Sequence, residues 1–139
     1  MSRLFTLTFL ALFAISCSGT YRGPQVSSKG YTMTYGVGTQ AELDAANQRI
    51  LQFKEELLQQ GFHEVSTAFF NSEERFVLEG KHGSLQDLRV TLWTNTQLAE
   101  DKPELGGGIK ANLRNEQADR EFEELYKQVV RVVTGKADW

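Results

Sequence analysis

Two stretches with apolar residues at helical spacing flank a run of strand-like alternation, and this order constrains the fold more than any other feature of the chain. In the first, Thr39-Gln-Ala-Glu42 reads as a capping box. The Thr hydroxyl takes one free amide of the first turn and the Glu reaches back. Leu43, Ala46, Ile50, Phe53, Leu57 and Leu58 then share one face as far as about Gln60. Gly61 suits the left-handed position that stops a helix. In the second, Asn115 is the cap, and Ala118, Phe122, Leu125, Val129, Val132 and Val133 form the stripe up to Gly135. Both stripes read as core.

Between them the period changes to two. Phe62 to Phe70 is rich in strand formers and stops at Asn71-Ser72-Glu73-Glu74. Arg75 to Lys81 follows, with Phe76 and Leu78 on one face, then the turn His82-Gly83-Ser84. Leu88, Val90 and Leu92 alternate with Arg89, Thr91 and Trp93. Leu98 to Gly108, with Pro103 and three consecutive glycines, reads as a mobile loop. Ile109, Ala111 and Leu113 then alternate with Lys110, Asn112 and Arg114. A short first strand is predicted at Tyr31–Tyr35. Short connections favour antiparallel pairing. The expected class is therefore α+β. It is a two-layer sandwich with an antiparallel four- or five-stranded meander sheet and two helices on one face, in the order (β)αββββα.

Residues 1–30 stand apart from this domain. Ser2 and Arg3 are followed by an apolar run from Leu4 to Ile15, broken only by Thr6 and Thr8. Its length matches a secretory h-region and falls short of the roughly 20 residues that span a bilayer. Ala14-Ile15-Ser16 precedes Cys17, the single cysteine of the chain. The segment resembles the signal peptide of bacterial lipoprotein precursors, which ends in a lipobox. That resemblance implies diacylglycerol on the Cys17 thiol, cleavage just before it, and a bilayer as the first partner. Ser18 stands where an Asp would signal retention in the inner membrane, so the resemblance implies the outer membrane, facing the periplasm. Ordinary signal cleavage after Ser16 is the rival, and it would leave a free thiol at a secreted terminus. Residues 1–16 are thus expected to be a signal peptide, 17–30 a lipidated cysteine with a Gly- and Ser-rich tether, and 31–139 a single domain.

Removing residues 1–16 takes away one cation, Arg3, and no acid, so the formal charge of −3 becomes −4. A mildly acidic chain lacks the basic footprint of a nucleic-acid binder. A domain of this length supports a core without disulfides.

Signals for chemistry are few. His63 and His82 sit at a strand start and in a turn, and no His, Cys, Asp and Glu cluster has metal-ligand spacing. No nucleophile motif surrounds Ser66 or Ser84, and Glu73-Glu74 and Glu123-Glu124 read as solvated surface. No catalytic residue, metal or cofactor is therefore expected. The suggestive group is on the sheet. If Leu88, Val90 and Leu92 face the helices, the other face carries Arg89, Trp93, Lys110 and Arg114, with Lys81 beside them. Trp and Arg dominate interface hot spots. The expectation is a non-enzymatic, membrane-anchored envelope lipoprotein that binds a protein partner or an anionic cell-wall component through this open face. The alternatives are a small-ligand carrier, with a cavity between helices and sheet lined by some of Phe53, Phe62, Phe69, Phe70 and Phe76, and an enzyme acting on the cell wall.

Overall fold

The computed structural model describes residues 27–70, 72–96 and 104–136. The signal segment, Cys17 and most of the expected tether lie outside the described residues. Strand β1 (Ser27–Gly36) is followed by helix α1 (Gln40–Gln59). Strands β2 (His63–Phe70), β3 (Glu73–His82), β4 (Leu85–Asn95) and β5 (Glu104–Leu113) come next, then helix α2 (Glu116–Thr134). The strands form one five-stranded sheet in the order β1-β5-β4-β3-β2, antiparallel at every pairing. Both helices pack on one face, α1 over β4 and α2 over β5. The chain is an α+β sandwich in the order βαββββα.

The helix ends form where side chains satisfy the free backbone groups. Thr39 accepts from the Glu42 amide at 3.2 Å, and Glu42 Oε1 accepts from the Thr39 hydroxyl and the Gly38 amide. Asn115 accepts from the Ala118 amide at 2.8 Å, and Gly135 ends α2 with φ 72°. Arg49 on α1 donates to the carbonyls of Val132 and Val133, which ties the two helices together at the end of α2. The stripes are buried as expected, with Phe122, Leu43, Ile50 and Leu57 among the fully covered residues. Leu58 and Val132 are only half-buried, while Val130 is buried.

Two boundaries differ from the sequence reading. Ser27–Gly30, assigned above to the tether, belongs to β1 and pairs with Leu113–Lys110. Polar composition does not prevent this, because β1 is an edge strand and Ser28 and Gly30 face away from the helices. Lys29 does face the helices, and Asp119 at 2.7 Å and Glu123 neutralise it. Burial works against its charge, yet the hydrogen bonds to Asp119, Glu123 and Tyr31 hold the ammonium above the ordinary lysine range. The Lys29 bond in turn holds the Glu123 carboxyl below its usual range, against a smaller opposing effect of burial.

The second correction concerns the glycines. Gly106-Gly107-Gly108 is not a mobile loop but part of β5, paired to Thr34-Met33-Thr32 on one side and to Trp93-Leu92-Thr91 on the other. Each glycine leaves room that a neighbour occupies. A Cβ on Gly107 would lie 2.7 Å from Val129, and one on Gly108 2.7 Å from Thr32. Missing side chains let β1, β4 and α2 close onto the strand.

Candidate binding face

Alternation settles which side chains leave the core. Leu88, Val90 and Leu92 on β4, and Ile109, Ala111 and Leu113 on β5, are buried beneath the helices. Arg89, Thr91 and Trp93, and Lys110 and Asn112, therefore point to the face that neither helix covers. Register then aligns one row across the whole sheet. Gly30 pairs with Lys110, Lys110 with Arg89, Arg89 with Glu79, and Glu79 with His63.

This row crosses a hollow of about 560 Å³ on the open face, and all five strands line it. Ser28 comes from β1, Lys110 and Asn112 from β5, Asp87 and Arg89 from β4, Glu79 and Lys81 from β3, and His63 from β2. The Arg89 guanidinium donates to Glu79, with Nε at 3.0 Å, and the Arg89 side chain stays 54% exposed. Lys110 and Lys81 make no ion pair among the described residues. Lys110 stands directly across from Arg89. Like charges placed opposite each other on a sheet are unfavourable. Once Arg89 and Glu79 cancel, two lysines face the single carboxylate Asp87.

Four residues were expected to form this face, and the structure brings two of them together. Arg89 and Lys110 are cross-strand neighbours in the hollow. Arg114 is exposed just past the end of β5 and does not line the hollow. Trp93 lies on the predicted face but is only 6% exposed, so the expectation of a bare aromatic is corrected. Its cross-strand partners explain the burial. On one side Gly106 leaves a gap that the indole fills, with Cζ2 2.5 Å from where a Cβ would stand. On the other, the Arg75 guanidinium sits 4.4 Å from the ring centroid. Trp93 is a packing residue of the open face.

His63 and Glu79 join the hollow although the sequence reading gave neither a role. The phase of the strands held the signal. Glu79 and Lys81 alternate with Leu78 and Gly80, which puts them on the same side as Arg89.

The phenylalanines divide. Phe53, Phe62 and Phe76 fill the core, whereas Phe69 and Phe70 are exposed. Among the described residues no group of three or more His, Cys, Asp and Glu could hold a metal ion, and no helix is long and apolar enough to cross a membrane. Compared with protein-family models, curated proteins and solved structures, the chain matches none.

Proposed function

We propose that this chain is a lipid-anchored envelope lipoprotein whose domain, without catalysis of its own, binds an anionic group of an envelope component on the open sheet face. The observation that carries the proposal is the hollow, where Lys110 and Lys81 lie unpaired among the described residues beside Arg89. With Arg89 and Glu79 paired, Lys110 and Lys81 against Asp87 leave the recess with a net excess of one positive charge, which favours anionic ligands and makes their binding salt-sensitive. The anchor rests on the lipobox resemblance at Cys17. Attached acyl chains contribute about 0.8 kcal/mol per buried CH2, so more than one chain gives stable anchoring.

The test has two arms. Mass spectrometry of the mature amino terminus is expected to find an acylated Cys17, and Cys17→Ala to release the protein from membranes. A photo-cross-linking residue at Asn112, in the hollow, is expected to give envelope adducts that disappear in Arg89→Glu/Lys110→Glu and weaken with salt. The same residue at Gln48, exposed on α1, is the control. Identical adducts from both positions, or adducts indifferent to the charge reversal, defeat the binding face.

A small-ligand carrier is the second reading, and the volume favours it, since ligand pockets commonly enclose about 300–1,000 Å³. Its site is then the hollow on the open face, because Phe53, Phe62 and Phe76 are packed into the core between helices and sheet.

A further inference from the structure

We infer that the free edge of β2 pairs with the same edge of a second copy of this chain, giving one continuous antiparallel sheet across a two-fold axis. The two edges of the sheet are built differently. Edge β1 is covered on its helix side, where Lys29 is clamped to α2, Tyr31 packs edge-on against Phe122 and Tyr126, and Met33 and Tyr35 lie against the core. Edge β2 is exposed along all eight residues. Phe69 is 74% and Phe70 73% exposed. They project to opposite faces, so any strand added at this edge receives a ring on each side.

Proteins usually guard such an edge with lysines, prolines or bulges. A bulge between Glu64 and Ser66 disturbs only the start of β2. Beyond it Ser66–Phe70 runs in regular register and contains no charge and no proline. The neutral stretch does not repel a copy of itself. Ser66, Ala68 and Phe70 share the open side, Thr67 and Phe69 the helix side. Two antiparallel copies centred on Ala68 place Phe70 opposite Ser66 and Phe69 opposite Thr67, so every pair meets on one face. An aromatic beside a β-branched residue is a favourable cross-strand pair. The helix layers of both copies then lie on the same side. α1 leaves them space, since it reaches β2 near the start of the strand, through the Lys54–Glu64 ion pair at 3.2 Å. The two-fold closes because it uses both β2 edges at once.

A bilayer fits the same rings less well. β1 and β2 run in the same direction on opposite edges of the sheet, so a chain entering at Ser27 arrives at the corner diagonally across from Phe69 and Phe70. Four rings of about 150–250 Å² each bring the contact to the small end of specific interfaces, so the dimer is a weak one.

The experiment uses the mature chain, residues 17–139, in a Cys17→Ser background, so that neither the apolar signal segment nor a lipid drives association. Sedimentation and light scattering from about 5 to about 500 µM, the range that a small interface demands, are expected to show a monomer–dimer equilibrium. Phe69→Lys and Phe70→Lys, at exposed positions that leave the domain folded, are each expected to raise the dimer dissociation constant at least about tenfold. Ala68→Cys in a Cys17→Ser background is expected to form a disulfide-linked dimer, and Thr34→Cys on β1 is not. A monomer at the highest concentration, a dimer that tolerates both lysines, or equal cross-linking from positions 34 and 68 overturns the inference. So does a monomer that binds phosphatidylethanolamine–phosphatidylglycerol vesicles through Phe69 and Phe70.

Discussion

Replacing Gly106 with alanine separates the strand from the loop by the sign of its effect. In a mobile loop, Gly→Ala restricts the unfolded chain and stabilises by about 0.4–1 kcal/mol. In β5 the added methyl carbon stands 2.5 Å from Trp93 Cζ2 and 2.8 Å from its Cε2, and closer still to the Met33 carbonyl oxygen of β1. The indole cannot simply withdraw, because the Arg75 guanidinium covers it 4.4 Å from the ring centroid. The Met33 carbonyl belongs to the paired backbone of β1, so its movement would disturb the ladder opposite Gly107. Overpacking of this kind costs about 1–3 kcal/mol. For a domain of about 110 residues this lowers the melting temperature by roughly 4 °C per kcal/mol, or about 4–12 °C. Gly38→Ala is the matched control, since nothing lies within 4 Å of its would-be Cβ and its amide is retained. That variant is expected to match or slightly exceed the parent. Thermal unfolding followed by circular dichroism, with Trp93 fluorescence as a local probe, measures both. If Gly106→Ala melts at or above the Gly38→Ala temperature, the glycines are not packed between β1 and β4 and the reasoning fails.

Phe122→Ala removes a fully covered ring that touches Tyr31, and chemical denaturation is expected to show a loss of about 3–5 kcal/mol. An unmoved midpoint would mean that α2 is not docked on the sheet. The clamp of β1 onto α2 depends on pH. The Glu123 carboxyl is held below its ordinary value of 4.5, so its contribution is present above that pH and fades as pH falls through the depressed folded value. Lys29 is shifted upward, so its contribution is complete below 10.5 and is lost only at still higher pH. Hydrogen exchange is expected to show β1 amides losing protection on acidification below about pH 4.5 before the β3–β4 amides do, as linkage requires. Simultaneous loss in all strands would place the acid-sensitive group elsewhere.

The local elements and their faces were legible without any tertiary information. Leu43 to Leu57 and Ala118 to Val133 repeat at helical spacing, Thr39 and Asn115 cap them, and Leu88 to Trp93 alternate, because period and capping are properties of neighbouring residues. The separation of Arg89 and Lys110 from the core follows from the same alternation. Partners distant in sequence had to decide the rest. Ser27–Gly30 looks like tether until Lys110–Leu113 offers it a ladder and Asp119 and Glu123 neutralise Lys29. Gly106–Gly108 has the composition of a loop, and becomes a strand because Trp93, Val129 and Thr32 occupy the space its side chains would need. Alternation puts Trp93 on the open face but does not show its burial, since period two gives direction but not what lies alongside. The hollow is likewise a product of register. Only the strand order β1-β5-β4-β3-β2 sets Lys110 against Arg89 and brings Glu79 and His63 into the same row, since cross-strand neighbours are fixed by pairing and not by distance along the chain.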